Sequence, residues 1–298
     1  DVLGIDGPQG RALAWDQFLG KICSREAALS RDIDAEAVRQ LLELLATKTR
    51  ESITGTGPLT ESDLADAYRL ITSTDPLEAA RVLLGRMPGL TARDQEAGTR
   101  SFVDSEMLAA LRGGMVARFI QNPYQAVAGK SRWRHPLGEL GCAVASLLIR
   151  RFRLSSTHCV VASGQAMNRW GEPTLALDCL IVGSQECDTT PLSGAGLRIL
   201  EGFVDTLDLE TCQLDDVELV ECWIRVLRLG EDLPKGLSIT RCTIEHIEGV
   251  GGPSGLPSWM RPRPTASTSR LPKRLGRKDI RKSPVCLKKS ARPKPRMR

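Results

Sequence analysis

The amino-acid sequence predicts an α+β chain of several units: a helical N-terminal part, a stack of short strands, and a basic tail that does not fold. Three observations predict this. Apolar residues over 207–247 recur on a five-residue beat, several N-terminal segments keep helical spacing behind capping residues, and residues 261–298 hold 15 Lys/Arg against one acid, Asp279. The formal charge of +5 therefore hides an acidic body and a basic tail. The boundaries that follow are 1–125 for the helical region, 126–151 for a linker and capping helix, 152–250 for the strands, and 251–298 for the tail.

The helical reading rests on period and punctuation. Residues 13–22 put Leu13, Phe18, Leu19 and Ile22 near one face. Residues 35–49 place Val38, Leu41, Leu42 and Leu45 on the i, i+3, i+4, i+7 positions of a helix. Gly55-Thr56-Gly57-Pro58 breaks the chain. Thr60 and Asp63 then form a capping box, with Leu59 and Leu64 as the staple around it. Asp75-Pro76 opens another helix, residues 85–98 are turn-rich, and residues 101–104 suggest a short strand. A helix over 107–120 is interrupted at Gly113-Gly114, and residues 137–152 form the capping helix.

Read in fives, the first positions of the beat are Leu207, Cys212, Val217, Cys222, Leu227, Leu237, Cys242 and Ile247. The third positions are Leu209, Leu214, Leu219, Ile224, Leu229, Ile239 and Ile244. Residues two apart on an extended chain share a side, so each group offers one short apolar face. Units with so short a period bury that face only by stacking. In the same phase, Leu177, Val182, Cys187, Leu192, Leu197 and Gly202 extend the first positions backwards, while third positions before Ile199 keep the rule poorly and loops such as 165–173 interrupt the lead-in. The beat fails at 232–236, where Pro234 cannot donate to a ladder and a bulge or loop is expected.

Outward positions of the repeat are acidic: Asp208, Glu210, Asp215, Asp216, Glu218, Glu221, Glu231, Asp232, Glu245 and Glu248. They read as a solvent face rather than as an acid–base pair or a metal cage. His158 reads as a solvent-facing residue of the stack, and no zinc-like spacing joins the histidines to cysteines. Gly7-Pro8-Gln9-Gly10 reads as a turn. The string 124–131 ends in Gly129-Lys130-Ser131, but Tyr124 stands where a P-loop has its first Gly. No catalytic residue, cofactor site or metal site is assigned to this chain, and it is not expected to be an enzyme. The string 131–136 (SRWRHP) could grip phosphate or stack on a base, but reads first as a linker with Trp133 tucked in.

Composition bounds the rest. Aromatics are 4%, so the core is aliphatic. Nine cysteines without a C-x-x-C pair suggest free buried thiols, a reducing compartment and a cytoplasmic location. No apolar run approaches the roughly 18–20 residues of a membrane span. The first residue is Asp1, which reads as a piece of a longer protein. Within the tail, Lys273, Arg274, Arg277, Lys278, Arg281 and Lys282 are expected to contact nucleic acid.

Two resemblances sharpen this reading. Arg25-Glu26-Ala27, the helix–break–capped-helix order and the run from Arg100 through Phe102, Val103, Met107, Leu108, Ala109 and Ala110 to Leu111 resemble the end of a NACHT-type (STAND) P-loop NTPase. That resemblance implies a winged-helix-like domain, with Asp104 in place of the family's usual His. The repeat resembles the pentapeptide-repeat family, which implies a right-handed β-helix with four sides; a wider β-solenoid also fits. The resemblances imply a non-catalytic sensor or interaction region of a bacterial signal-transducing NTPase. Its solenoid would bind a protein, oligomerisation would be an output, and ATP and Mg2+ would bind in an upstream domain. The alternatives are an acidic solenoid that mimics DNA toward a DNA-binding enzyme, and a nucleic-acid-binding protein that uses the basic tail.

Overall fold

Helix α1 (Pro8–Ala28) begins where a turn was expected. Gly7 is its N-cap and Pro8 its first helical residue, where a missing N–H costs no intrahelical bond. The computed structural model describes residues 7–29, 33–94, 98–124, 132–185, 192–211, 214–230 and 236–249. All of these fall within one compact unit, Asp1–Met260. The P-loop-like string beyond Tyr124, Cys212, Pro234 and the basic residues Lys273, Arg274, Arg277, Lys278, Arg281 and Lys282 lie outside the described residues.

Helix α2 (Ala35–Lys48) starts at Asp34, whose side chain accepts from Ala37 N at 2.8 Å. It buries Val38, Leu41, Leu42 and Leu45. Helix α3 (Glu61–Thr72) carries the Thr60/Asp63 capping box, and Leu59 and Leu64 are buried beside it. Helix α4 (Glu78–Gly85) follows. The turn-rich stretch after it holds a strand, β1 (Leu90–Asp94), antiparallel to β2 (Thr99–Phe102), and Leu59 bridges to Arg100. Asp104 caps α5 (Ser105–Gln121) by accepting from Glu106 N and Met107 N. Gly113 and Gly114 do not interrupt this helix.

Those glycines are contact points instead. A Cβ on Gly113 would sit 2.3 Å from the carbonyl oxygen of Gly141 in α6 (Glu139–Arg151). One on Gly114 would sit 2.2 Å from Glu43 Oε1. Helix α5 is thereby drawn against both α6 and α2, and most of its surface is buried. Helix α1 closes this body against α2 and α6.

The lead-in to the strands corrects the sequence reading. Residues placed in a β-structured region from 152 onward form α7 (Ser156–Gln165), a short π-helical turn (Ala166–Trp170) and α8 (Pro173–Gln185). Every residue of α8 except Gln185 is buried, so the helix shows no polar face and its apolar residues satisfy any period. His158 lies in α7, where Nδ1 accepts from Ser155 N at 3.2 Å.

The expected right-handed, four-sided β-helix is also corrected. The chain forms two open three-stranded parallel sheets, ordered β3-β5-β7 and β4-β6-β8. The strands are β3 (Leu192–Leu200), β4 (Phe203–Asp208), β5 (Leu214–Val220), β6 (Trp223–Leu229), β7 (Leu237–Thr240) and β8 (Thr243–Gly249). Successive strands go to alternate sheets, and partners lie twenty residues apart: Leu197, Val217 and Leu237 in one sheet, Phe203, Trp223 and Thr243 in the other. Two five-residue groups thus make one strand and its corner, and four make one full repeat.

The corners from β3 to β4, β5 to β6 and β7 to β8 each hold a residue in left-handed conformation: Glu201 (φ 59°), Glu221 (φ 54°) and Arg241 (φ 54°). A non-glycine residue there costs about 1–2 kcal/mol. Backbone bonds between corners offset that cost, including Glu201 N to Val220 O at 2.9 Å and Trp223 N to Gly202 O at 2.8 Å. Helix α8 covers the first repeat. Thr174 Oγ1 accepts from Phe203 N at 3.2 Å, and a Cβ on Gly202 would meet Leu177 at 2.5 Å. The later corners, free of that helix, carry Cys222 and Cys242 at the equivalent position. Among the described residues no helix is long and apolar enough to cross a membrane.

Candidate functional site

The three-residue 3-10 turn Thr49–Glu51 ends α2 and turns Arg50 inward, leaving it 1% exposed. Its guanidinium forms an ion pair with Asp178 of α8, donates through Nε to His135 O at 2.6 Å, and stacks 4.2 Å from the Trp133 ring centre. Asp178 Oδ1 also accepts from Leu137 N at 3.0 Å. Burial pushes the Asp178 carboxyl upward, against the opposing pull of Arg50 and the Leu137 amide.

The segment around Trp133 is held from both sides. On the α2 side, Arg134 N donates to Arg50 O at 2.8 Å, and His135 Nε2 lies 2.8 Å from Ser52 O. A carbonyl partner requires that Nε2 carry the proton. Burial holds the His135 imidazole below its usual range, and Arg112 and Arg50 add to the effect. On the α8 side, Trp133 N donates to Glu172 Oε2 at 3.2 Å and Thr174 Oγ1 donates to Trp133 O at 3.0 Å. Arg132 pairs with Glu201 at the first strand corner. Trp133 is 2% exposed, so its ring is not available to stack on a base.

Two further groups border this cluster. Arg112 of α5 donates to Ala46 O at 3.3 Å, a carbonyl left over at the end of α2, to Thr49 Oγ1 at 2.9 Å, and to Gly55 O in the turn beyond. Burial, with Arg50 nearby, pushes its pKa down to about 9. Glu172 is raised to about 7 by burial, only partly opposed by the Trp133 amide and Arg50, and its Oε1 is buried without a hydrogen-bond partner.

A second ionic cluster ties the helical body together. Arg39 reaches Asp16 at 2.7 Å and Glu43 at 2.9 Å; Arg118 reaches Glu43 and Glu36, each at 2.5 Å; and Arg151 reaches Asp16 at 2.6 Å. Glu43 is fully buried. Burial raises the Asp16 carboxyl, but Arg151 and Arg39 overcome that and hold it below its ordinary value. Helices α1, α2, α5 and α6 each contribute a charge.

The residues of the repeat fall on two sides. Leu207, Leu209, Leu214, Val217, Leu219, Cys222, Ile224, Leu227, Leu237 and Ile239 are buried; Leu229, Cys242 and Ile244 are half-buried, and Ile247 is exposed. The outward acids are interleaved with arginines: Arg198 with Glu218 at 3.1 Å, Arg225 with Asp205 at 2.6 Å, Arg228 with Glu248 at 2.9 Å, and Arg241 with Glu221 at 2.9 Å. The face is thus a mixed-charge lattice. A twenty-residue comparison of the sequence would have exposed these pairs; a five-residue one hides them.

His135, His158 and His246 lie in separate elements, and among the described residues no three His, Cys, Asp or Glu side chains are placed to hold a metal. The sequence reading missed Arg50, Asp178, Glu172 and Arg112. Of the site residues, Arg132, Trp133, Arg134 and His135 stood inside a string that it singled out. Compared with protein-family models, curated proteins and solved structures, the chain matches none.

Proposed function

We propose that this chain is the non-catalytic sensor and interaction region of a NACHT-like signal-transducing NTPase. In this reading the paired parallel sheets bind a protein partner, the helical body passes that event on, and ATP with Mg2+ binds in an upstream domain. One observation carries the reading: both sheets begin on α8, and α8, with Glu172 just before it, supplies Thr174 and Asp178 to hold the Trp133 segment against Arg50. A displacement of the strands acts on α8 and therefore on the end of α2. A buried ion pair suits such a role because it tolerates one geometry and penalises intermediate ones.

The element order adds support. A capped helix, a short helix, a turn-rich stretch and a short strand leading into a helix follow one another in the order on which the resemblance rests.

Reading the coding frame upstream of Asp1 tests the proposal. A strand running into G-x4-G-K-[ST], with an acidic strand beyond it, is expected. An initiating Met within a few residues would remove the ATPase from the account.

A further inference from the structure

The outward columns of the β4-β6-β8 sheet, half-buried at β4 and exposed from β6 onward, alternate in sign along the stack. Asp205, Arg225 and Glu245 form one column, and Asp208, Arg228 and Glu248 another. Arg225 Nε lies 2.6 Å from Asp205, and Glu245 and Glu248 also favour its charged form. Arg228 lies 2.9 Å from Glu248 and 3.8 Å from Asp208. Each arginine therefore sits between two acids, and both columns end on an acid three residues from the other.

The inward columns stop being covered at the same place. Val204 and Ile224 are 1% and 0% exposed, and Leu207 and Leu227 are both 0% exposed. Their successors on β8 are Ile244, half-buried, and Ile247, 44% exposed. Among the described residues no strand pairs with the outer side of β8. A partly apolar edge with unpaired backbone groups is a template for another strand.

We infer that the outer edge of β8 receives an extended, basic peptide from the protein partner, aligned parallel to β8. Two Lys or Arg residues three apart face Glu245 and Glu248, and the apolar residue before each covers Ile244 or Ile247. Strand β6 already presents this pattern to the inner side of β8, as Ile224-Arg225-Val226-Leu227-Arg228. The inference rests on the proposed role of the sheets as the partner-binding scaffold, and names the chemistry of what they bind.

Fluorescence anisotropy on the full chain tests it, using a dye-labelled copy of the seven residues Trp223–Leu229 as probe. The controls are the same peptide with both arginines replaced by Glu, and one with alternate backbone amides methylated. The basic peptide should saturate, and the methylated one should not. In the double variant Glu245→Lys/Glu248→Lys, affinity for the basic peptide should fall at least about tenfold, the loss of two exposed ion pairs. The same variant should gain affinity for the Glu peptide, which also reports that it is folded. Equal binding of the two charge forms, retained binding of the methylated peptide, or a variant that does not exchange its preference would each overturn the inference. The upstream coding frame separates the two claims. A P-loop with no peptide binding removes this inference alone, whereas peptide binding without a P-loop removes the NTPase and leaves the docking edge.

Discussion

Replacing Arg50 with Met removes the charge that compensates Asp178, which is itself 2% exposed. Leaving one member of a buried pair costs about 3–5 kcal/mol, whereas replacing both by apolar residues is close to neutral. Urea denaturation is therefore expected to find Arg50→Met strongly destabilised and Arg50→Met/Asp178→Leu only partly restored, because His135 O and Leu137 N then lack their partners. A single variant within about 1 kcal/mol of the parent would contradict the assignment. Glu172 adds a pH dependence. Its folded-state pKa is raised from 4.5 to about 7, so the stability it contributes is fully present below 4.5 and is lost as pH rises through 7. Relative to the parent, Glu172→Gln should lose less stability between pH 4.5 and 8; parallel pH profiles would exclude that titration. None of these four-way contacts was legible beforehand. An arginine after a helix end reads as solvated, and Asp178 lies 128 residues away inside a helix with no polar face.

Close approach of whole elements depends on the glycines of α5. Alanine at position 113 would gain about 1 kcal/mol in helix propensity. The 2.3 Å approach to the Gly141 carbonyl then has to be relieved by separating α5 from α6. Overpacking of this kind costs about 1–3 kcal/mol, and a lowered denaturation midpoint for Gly113→Ala is expected. A raised midpoint, the propensity gain without the overpacking cost, would mean that the two helices do not meet there. On the sheets the opposite holds: Arg225 is 46% exposed, so Arg225→Ala should cost no more than about 1 kcal/mol by the same measurement. Amphipathic α2 and the capping box of α3 were legible because local spacing and chemistry decide them. The glycine pair was misread as a break because the reason for it sits on other helices. Most positions on the five-residue beat between Leu207 and Ile239 that the structure describes are buried. The beat could not reveal that a left-handed corner every twenty residues divides the strands between two sheets.

At the scale of the molecule, α8 is the shared element: the Trp133 segment and α7 pack on it from the body, and β3 and β4 begin on it. Its residues were assigned to the strand region because a wholly buried helix has no polar face to set its period. That misreading concealed how the helical body and the sheets are joined. The central claim is that this joint transmits a change in either part to the other. Hydrogen exchange resolved by peptide, on Arg50→Met against the parent chain, tests that claim most directly. The account predicts faster exchange in α2, in α8 and in β3 through β6 together, since loosening Asp178 frees the helix on which the strands begin. Faster exchange confined to residues 132–138, with the strands unchanged, would contradict it.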